Sequence, residues 1–504
     1  MNLPSLQTVA GVIGGRVLRG DPGIHLTAVS TDTRTLQPGA LYFALVGDVH
    51  DAHAFLPEAA QRGAAAAVVH NADAASSVPS LPLVLVQDTT RALGDLAHWY
   101  RKQCPTTVIG ITGSNGKTTT KEMLYHILDG VAPSTRSSGN QNNQIGVPLT
   151  LFKIQPGDVY AVVEMGTNSP GEIARLCEIA DPDIGLLTNI SAAHLDGLKS
   201  VEGVAREKSA LLRHTVRRGG ALYNADDYWS RRIARTLQGN LVSFGIQNKA
   251  DIRTFHVSPE GNGVRFRIVG GPTIDLPVPG EHNARNALAA IAVARKLGID
   301  WDRIAERIAS FRLPNMRMEM RQVCGVTLIN DAYNANPVSM EAAVRTLRNM
   351  PCSGRRILVV GDMHELGPSS LELHRGLGKV IAGYGLDYLL GIGPQTAELL
   401  RAAAKHGMSE SGLHLAESKE DLAAALLDIA SEGDIVLFKA SRAARLEDVV
   451  ASVERELGAV SGGGTAAAET RPMEASESHS KEAATRAHNP GVSQERALVG
   501  PTVG

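Results

Sequence analysis

The sequence predicts an α/β protein of three domains: a small N-terminal α/β domain, a central parallel-sheet domain and a C-terminal Rossmann-like domain. The chain has 504 residues, whereas a typical domain has about 150. From residue 106 onwards, apolar strand patterns alternate with amphipathic helix patterns such as TTTKEMLYHIL and TAELLRAAAKHG. This alternation favours parallel sheets that are covered by helices on both faces.

Composition and periodicity also divide the chain. The first hundred residues carry short apolar runs, LYFAL, AAAAVV and LPLVLV, before a helix pattern that leads into Cys104. Residues 253–278 alternate like antiparallel strands, and the α/β rhythm restarts beyond Pro314. After Leu457 large apolar residues almost disappear, which predicts a disordered tail. The predicted segments are 1–101, 102–313, 314–458 and the tail 459–504.

Composition excludes several classes of protein. Lysine plus arginine total 50 and aspartate plus glutamate total 52, so there is no positive excess to bind a nucleic acid. No stretch approaches the roughly 18 apolar residues of a membrane-spanning helix, and the N-terminus has no signal-peptide pattern. Four cysteines without CxxC pairs indicate neither a disulfide framework nor a zinc site. We therefore expect a cytoplasmic monomer that binds no nucleic acid and enters no membrane.

One segment has the pattern of a phosphate-binding loop. The sequence GITGSNGKT, from Gly110 to Thr118, lies between an apolar strand pattern and a helix pattern, the context that such a loop requires. Its glycines let backbone N–H groups surround phosphates, Lys117 offers a positive charge, and the Thr118 hydroxyl can bind Mg²⁺. The common form of the motif would place its first glycine at position 111, where this chain has isoleucine. A glycine-rich turn without a ligand is the alternative.

This loop resembles that of the Mur ligase family, ATP-dependent enzymes that form amide bonds in peptidoglycan synthesis. Further motifs resemble the same family: EMGTNSPGEI at 164–173, TNISAAHLDG at 188–197, PGEHNARNALAA at 279–290 and DAYNANP at 331–337. Three more segments resemble the members that add D-alanyl-D-alanine to UDP-N-acetylmuramoyl-tripeptide: GNQNNQIGVPLT at 139–150, GDMHELGPSSLELH at 361–374 and VLFKASR at 436–442. The resemblance runs in order from about residue 25 to residue 455.

The resemblance implies the three-domain Mur ligase architecture, with an N-terminal domain that binds the UDP substrate, a central P-loop domain that binds ATP and a C-terminal ligase domain. It implies ATP and two Mg²⁺ ions as cofactors. The implied nucleotide-binding residues are Gly113, Ser114, Asn115, Gly116, Lys117, Thr118, Thr119, Asn283, Asn286, Arg317 and Asp331. The implied metal ligands are Thr118, Glu164, His194 and Lys208, and the implied catalytic residues are Lys117, His194 and Lys208.

The residues themselves support part of this assignment. Glu164 ends one strand pattern and His194 follows another, so both are expected at the carboxyl edge of a parallel sheet, where ligands bind. Either residue alone is more often an ordinary hydrogen-bonded polar group. Lys208 aligns with a lysine that the family carries as a carbamate; a solvated helical lysine is the alternative, and the nearby Arg206 blurs the alignment.

The nucleotide and substrate assignments have alternatives as well. Asn283 and Asn286 are three residues apart and share one side of a helix, although Asn283 could instead cap it. The family commonly has glycine before the arginine that aligns with Arg317, and this chain has Met316 there.

The implied substrate-binding residues are Ser30, Asp32, Arg34, Asn140, Asn142, Asn143, Asn334, Asn336, Lys439 and Ser441. The first three resemble a uridine-binding signature, together with DAH at 51–53, where Ala52 replaces the usual glycine. A turn closed by the Asp32 side chain is equally compatible with that segment, and the asparagines of 140–143 could equally be turn formers.

The function expected from this resemblance is ATP-dependent joining of D-alanyl-D-alanine to UDP-N-acetylmuramoyl-tripeptide through an acyl phosphate. Another Mur-type or folylpolyglutamate-type ligase is one alternative, and a P-loop NTPase that acts as a switch or motor is another. The expectation depends on the side chains of Lys117, Thr118, Glu164 and His194 converging around the triphosphate of a bound nucleotide.

Overall fold

Three β-sheets organise the part of the chain that the structure describes, residues 3–47 and 50–462 of a computed structural model. Each sheet consists mainly of parallel strands joined by helices, so the predicted α/β class is confirmed. No helix among these residues is both long and apolar enough to span a lipid bilayer.

The first sheet lies within the described residues before Cys104. Its helices are α1 Leu6–Val12, α2 Leu56–Gln61 and α3 Thr89–Gln103, and its strands are β1 Arg16–Arg19, β2 Ala28–Ser30, β3 Ala40–Phe43, β4 Ala66–Val69 and β5 Leu83–Leu85. The strand order is β1-β5-β4-β3-β2, and β1 is antiparallel to β5. The Asp88 side chain accepts hydrogen bonds from two backbone N–H groups and so starts α3. Helix α3 packs against α5 and α6 of the next domain, defined below, so the first two sheets share one hydrophobic core.

The central sheet contains nine of the strands that the structure describes. Its helices are α4 Lys117–Asp129, α5 Gly146–Leu151, α6 Glu172–Ala180, α7 Leu195–Leu198, α8 Val201–Thr215, α9 Tyr228–Ala234, α10 Glu281–Lys296 and α11 Trp301–Ala309. Its strands are β6 Thr107–Thr112, β7 Ser134–Arg136, β8 Tyr160–Glu164, β9 Ile184–Leu187, β10 Gly220–Asn224, β11 Leu241–Gly245, β12 Ile252–Glu260, β13 Gly263–Ile268 and β14 Thr273–Leu276.

The strand order of the central sheet is β14-β13-β12-β11-β10-β9-β6-β8-β7. The strands from β7 to β12 are parallel, whereas β12, β13 and β14 pair antiparallel, as predicted for residues 253–278. Strand β6 lies between β8 and β9. Because the three strands are parallel, the residues at their carboxyl ends meet at one edge of the sheet.

The third sheet has six strands within residues 319–439, and it has the predicted Rossmann-like alternation of strands and helices. Its helices are α12 Pro337–Asn349, α13 Ser370–Ala382, α14 Pro394–Lys405, α15 Lys419–Ile429 and α16 Glu447–Gly462, and its strands are β15 Glu319–Val323, β16 Val326–Asn330, β17 Arg356–Gly361, β18 Tyr388–Ile392, β19 Leu413–Ala416 and β20 Ile435–Lys439. The order is β15-β16-β20-β17-β18-β19, and β15 is antiparallel to β16.

The predicted domain boundaries fall between or near the ends of these elements. Helix α3 extends two residues past 101, and the boundary after residue 313 lies between α11 and β15. Helix α16 continues to Gly462, so residues 459–462, which the sequence analysis assigned to the tail, are helical. Residues 463–504, the rest of the predicted tail, lie outside the described residues.

Candidate active site

A cavity of about 820 Å³ opens at the carboxyl edge of the central sheet. Its walls come from the segments that follow β6, β7, β8, β9, β10 and β11, from the start of α10, and from the third domain between residues 317 and 345 together with Lys439. Ligands of α/β proteins bind at this edge of the sheet. The structure brings Lys117, Thr118, Glu164 and His194 together in the wall of this one cavity.

The glycine-rich loop between β6 and α4 is shaped by two glycines with positive φ. Gly113 has φ 152° and Gly116 has φ 78°. A Cβ atom would lie 1.9 Å from Thr188 Oγ1 at Gly113 and 2.2 Å from Asn286 Oδ1 at Gly116. Glycine is therefore required at both positions by backbone conformation and by space. The loop directs the N-terminus of α4 towards the cavity, where backbone N–H groups can bind an anion.

The segment after β9 is joined to this loop by hydrogen bonds. Ser191 N donates to Ser114 Oγ at 2.9 Å, and Asn115 N donates to Asn189 Oδ1 at 3.0 Å. Thr188 Oγ1 also donates to Asn115 O at 2.6 Å. The sequence predicted no such role for Thr188, Asn189 and Ser191, although they lie in the family-like motif at 188–197.

Lys117 begins α4, and its side chain turns back over the loop. Its ammonium Nζ donates to Gly113 O at 2.7 Å. Burial lowers the pKa of Lys117, although the negative charge of Glu164 opposes this shift. The ammonium therefore lies where it could interact with phosphates that the loop binds.

Glu164 ends β8 and is almost completely buried, with 2% of its surface exposed. One carboxylate oxygen, Oε1, accepts a hydrogen bond from Asn142 Nδ2 at 2.9 Å. The other, Oε2, has no hydrogen-bond partner, and the closest ammonium, Lys121 Nζ, lies 3.7 Å away. A buried carboxylate oxygen without a hydrogen bond costs free energy unless another group satisfies it.

His194 immediately precedes α7 and has a left-handed backbone, with φ 54°. Its imidazole Nδ1 lies 2.6 Å from Glu365 Oε2 of the third domain. This hydrogen bond to His194 lowers the pKa of the Glu365 carboxyl. Sequence reasoning did not identify Glu365, which lies in the GDMHELG segment; only contact between domains reveals its role.

Lys208 lies in the middle of α8 and is completely buried. Its Nζ has no hydrogen-bond partner. Burial, reinforced by the positive charge of Lys117, holds the pKa of Lys208 well below its usual value. The alternative of a solvated helical lysine is therefore wrong. Lys208 is not among the described residues that line the cavity.

The donor set at this edge fits Mg²⁺, which prefers oxygen ligands and keeps several waters or phosphate oxygens in its coordination shell. The Thr118 hydroxyl and Glu164 Oε2 are such oxygens, and Oε2 has no hydrogen bond. Within residues 3–47 and 50–462, no group of three histidine, cysteine, aspartate or glutamate side chains could hold a metal by itself. A Mg²⁺ ion here would complete its coordination shell with waters or phosphate oxygens.

Asn283 and Asn286 lie in the first turns of α10 and both line the cavity. Asn283 does not cap the helix: Gly280 is the N-cap residue, and Asn283 Nδ2 donates to Pro279 O at 2.8 Å. Asn286 Nδ2 donates to Asn283 Oδ1 at 3.3 Å. The two amides therefore support each other on one helix face.

His282 also lines the cavity beside Asn283, and sequence reasoning gave it no role. Burial lowers the pKa of His282 to about 4. The imidazole is consequently neutral at pH 7 and can present one donor and one acceptor. Its position at the start of α10, within the PGEHNARN motif, was the only sequence signal.

The third domain reaches the glycine-rich loop directly. Arg317 Nη2 donates to Thr118 Oγ1 at 3.0 Å, and its guanidinium lies 4.0 Å from the centre of the Tyr333 ring. Asn336 Nδ2 donates to Asn115 Oδ1 at 2.6 Å. Met316 adopts φ 59°, a conformation that glycine would adopt more easily.

Asp331 follows β16 and forms an ion pair with Lys439, with Oδ2 to Nζ at 2.6 Å. Lys439 Nζ also donates to Asn334 O at 3.0 Å. Ser441 is buried and accepts a hydrogen bond from His364 N at 2.9 Å. Lys439, Asp331 and Asn334 line the cavity, whereas Ser441 is not among the described lining residues.

The asparagine loop that follows β7 contributes Asn140, Asn142 and Asn143 to the cavity wall. Asn142 also joins the loop to the next strand, because its backbone carbonyl accepts from Gly166 N at 2.8 Å. Asn143 Oδ1 accepts from Gly146 N at 2.9 Å and so also shapes the turn before α5. The expectation of turn formation is therefore met by Asn143.

Ser30 ends β2 of the first sheet, and Asp32 and Arg34 lie in the turn that follows it; none of the three is among the described residues that line this cavity. Asp32 Oδ1 accepts from Arg34 N at 2.9 Å, and Ser30 Oγ donates to Asp32 O at 2.9 Å. The hydrogen bonds from Arg34 lower the pKa of Asp32, although its burial opposes this shift. The expected side-chain turn at Asp32 is present.

Three regions of the chain match known protein-family domains. Residues 25–101 match the "Mur ligase family, catalytic domain", residues 111–294 the "Mur ligase middle domain" and residues 316–442 the "Mur ligase, glutamate ligase domain". Together these regions cover most of the chain in the order that the resemblance predicted.

Individual proteins are similar over nearly the same length. The UDP-N-acetylmuramoyl-tripeptide--D-alanyl-D-alanine ligase of Bacillus subtilis is 37% identical over 428 residues, which are 84% of this chain and 92% of the relative. The crystal structure of MurF from Acinetobacter baumannii superposes with a TM-score of 0.82 at 30% identity and covers 90% of this chain and 99% of its own. The MurF ligase of Thermotoga maritima, solved in complex with ADP, has a TM-score of 0.76 at 28% identity, covering 86% and 98%.

The architecture, the glycine-rich loop and these similarities agree over almost all of the described chain. Three α/β domains in this order are what the family resemblance predicted, and residues of the second and third domains line one cavity. This protein belongs to the Mur ligase family.

Proposed function

We propose that this protein is an ATP-dependent ligase that joins D-alanyl-D-alanine to UDP-N-acetylmuramoyl-tripeptide and so forms UDP-N-acetylmuramoyl-pentapeptide for peptidoglycan synthesis. The observation that carries the proposal is the convergence of Lys117, Thr118, Glu164 and His194 on one cavity that the third domain also lines. The choice of substrates is supported by the Bacillus subtilis relative, whose name states this reaction.

The glycine-rich loop and the start of α10 supply the proposed nucleotide contacts. Residues 113–119 would bind the triphosphate through backbone N–H groups and the Lys117 ammonium. The side-chain amides of Asn283 and Asn286 line the cavity, and so do Arg317 and Asp331 of the third domain. The nucleotide would thus be bound by two domains at once.

Thr118, Glu164 and His194, together with a carbamylated Lys208, are the residues that would hold two Mg²⁺ ions, and bound Mg²⁺ would neutralise negative charge on the triphosphate. The orphaned Oε2 of Glu164 and the unpartnered Nζ of Lys208 support this assignment. Burial lowers the pKa of Lys208 and so favours the uncharged amine, the form that reacts with CO₂.

The chemistry requires activation of a carboxylate, because a free carboxylate has no leaving group that an amine can displace. In the proposed reaction an oxygen of the tripeptide carboxylate attacks the γ-phosphorus of ATP, and the bond between that phosphorus and ADP breaks. The Lys117 ammonium neutralises charge on the transferred phosphoryl group. The dipeptide amine then attacks the acyl carbon, inorganic phosphate leaves and the amide forms.

Closure of the third domain has a chemical purpose in this scheme. An acyl phosphate exposed to water would be hydrolysed, so the site must exclude water while the dipeptide attacks. The hydrogen bonds from Arg317 to Thr118 and from Asn336 to Asn115 hold the third domain against the glycine-rich loop.

The remaining proposed contacts concern the two substrates. Ser30, Asp32 and Arg34 would bind the uridine moiety, and Asn140, Asn142 and Asn143 would bind the muramoyl peptide. Asn334, Asn336, Lys439 and Ser441 would shape the dipeptide site. Lys439 would do so from its ion pair with Asp331, and Ser441 through the hydrogen bond that it accepts from His364 N. We also propose that the enzyme acts as a monomer.

An assay of ADP release tests the proposal. The purified protein is supplied with Mg²⁺-ATP and with UDP-muramoyl tripeptides that end in lysine or diaminopimelate, with and without D-alanyl-D-alanine. We expect rapid ADP release only when tripeptide and dipeptide are both present, with pentapeptide formed in equal amount. ADP release that needs no dipeptide would instead favour an NTPase switch, and a requirement for a folate substrate would favour a folylpolyglutamate-type ligase.

A further inference from the structure

A second lysine of α4, Lys121, is completely buried one helical turn after Lys117. Lysine is almost never fully buried unless its charge is paired. The triphosphate site proposed above does not use this residue, and it is not among the described residues of the cavity wall. The contacts around Lys121 must therefore explain why a lysine is buried at this position.

The Lys121 ammonium holds the start of the asparagine loop. Its Nζ donates to Ser137 O at 2.8 Å and to Gly139 O at 3.2 Å, the two carbonyls that flank Ser138. Glu122 Oε1 lies 3.1 Å from the same Nζ. Two of the three N–H donors of the ammonium are thus committed to the loop that carries Asn140, Asn142 and Asn143.

The same ammonium lies beside the proposed metal ligand. Glu164 Oε2, the oxygen without a hydrogen bond, is 3.7 Å from Lys121 Nζ. The loop contacts Glu164 twice more, since Asn142 Nδ2 donates to Glu164 Oε1 at 2.9 Å and Glu164 N donates to Ser137 Oγ at 3.1 Å. The loop, the ammonium and the carboxylate therefore form one buried network.

We propose that Lys121 is a positioning residue that couples the asparagine loop to Glu164, so that binding of the muramoyl tripeptide and binding of Mg²⁺-nucleotide strengthen each other. This inference rests on the proposed function. A ligand that orders the loop fixes the two carbonyls and therefore the ammonium beside Glu164. A ligand at Glu164 fixes the same ammonium from the other side, and coupling of this kind is reciprocal.

Lys153 provides a matched control on the same loop. Its Nζ donates to Ser138 Oγ at 3.0 Å and to Gln141 Oε1 at 3.1 Å, but Lys153 is exposed and its described contacts do not include Glu164. Replacing it removes a lysine contact from the loop and leaves the buried network intact. Comparing variants of Lys121 and Lys153 therefore distinguishes coupling between the two ligands from simple stabilisation of the loop.

The experiment measures the affinity for the β,γ-methylene analogue of ATP with Mg²⁺ by calorimetry, with and without UDP-N-acetylmuramoyl-tripeptide. In the unaltered protein we expect each ligand to raise the affinity for the other by a factor of about 5–150. Lys121→Met should bring this factor close to one, whereas Lys153→Met should leave it unchanged. Lys121→Met should also raise KM for the tripeptide more than it lowers kcat.

Lys121→Gln keeps hydrogen-bond donors but lacks the positive charge. If Lys121→Met does not fold, the coupling between the two ligands is tested with Lys121→Gln. We expect Lys121→Gln to fold, to bind each ligand singly and to lose most of the coupling. Unchanged coupling in the folded Lys121 variant, or equal loss in the Lys121 and Lys153 variants, overturns the inference. Failure of the unaltered protein to bind the tripeptide would instead overturn the proposed function.

Discussion

His194 and Glu365 belong to different domains, yet the imidazole Nδ1 of one lies 2.6 Å from the carboxylate Oε2 of the other. The backbones meet as well, because Leu195 N donates to Glu365 O at 3.0 Å. Both residues have a left-handed backbone, with φ 54° and 61°. A carboxylate at Nδ1 holds a proton there and leaves Nε2 with the lone pair that can bind a metal. Glu365 of the third domain therefore orients the imidazole of His194, which belongs to the central domain.

Replacing Glu365 by glutamine should weaken the orientation of the His194 imidazole while keeping a side chain of nearly the same size at position 365. We expect Glu365→Gln to lower activity by about 10–100-fold and to raise the Mg²⁺ concentration needed for half-maximal activity, since partners of metal-binding histidines have effects of this size. Steady-state assays across a Mg²⁺ series check the prediction. Glu372→Gln, at an exposed position in α13, is the control and should behave as the unaltered protein. Equal Mg²⁺ dependence in the two variants would contradict the role given to Glu365.

Burial and the nearby Lys117 hold the pKa of Lys208 well below its usual value, which favours the uncharged amine that CO₂ can modify. We expect native mass spectrometry to detect addition of one CO₂ to the protein. Activity should fall in CO₂-depleted buffer and recover when bicarbonate is added. Lys208→Arg should lose activity by about 10–100-fold, by analogy with changes around other metal ligands, and should not respond to bicarbonate.

The control for this experiment is Lys249→Arg, which changes an exposed lysine in a loop. This variant should keep full activity and the same dependence on bicarbonate. If activity of the unaltered protein does not depend on CO₂ and no adduct is found, Lys208 acts without carbamylation.

Asp181 should make the stability of the protein depend on pH in the acid range. Although burial opposes its ionisation, contacts with Lys102 and Arg218 lower the pKa of Asp181 to about 2. An unfolded aspartate has a pKa of about 3.9, so the folded state is stabilised by about 2 kcal/mol above pH 4. Because the folded pKa is the lower one, this contribution is present at neutral pH and disappears as the pH falls from about 4 to about 2.

Asp181→Asn should therefore reduce the free energy of unfolding by about 2 kcal/mol at pH 7 and by much less near pH 2. Asparagine tolerates the left-handed backbone of this position, φ 41°, so the substitution isolates the charge. Urea unfolding at several pH values provides the measurement. Glu178→Gln, which removes an exposed partner of Arg175, should cost no more than about 1 kcal/mol. An equal loss in both variants at pH 7 would contradict the prediction.

Local sequence was sufficient to predict the glycine-rich loop. Gly113 and Gly116 have positive φ because the turn from β6 into α4 requires it, and the strand and helix that flank the turn are visible in the periodicity. The placement of Glu164 followed in the same way, because alternating strands and helices imply a parallel sheet whose carboxyl ends share one edge. These features depend on residues that are close together in the chain.

One alternative failed for a local reason, and other features were missed because they depend on residues far apart in the chain. The alternative that Asn283 caps α10 was wrong, since Gly280 is the N-cap residue and the Asn283 amide donates to Pro279. The helical period marks one face of α4 as apolar, but it cannot show that the carbonyls of Ser137 and Gly139 surround Lys121. A hydrogen bond between residues far apart in the chain leaves no periodic signal.

The sequence alone predicted a three-domain α/β protein and its glycine-rich loop at Gly113–Lys117, and the resemblance of its motifs to the Mur ligase family predicted a ligase. The pairing of His194 with Glu365, the burial of Lys208 and the network around Lys121 became visible when the three sheets were folded together. The physical reason is that periodicity and turn chemistry act over a few residues, whereas desolvation and hydrogen bonding between domains depend on which surfaces the whole fold brings into contact.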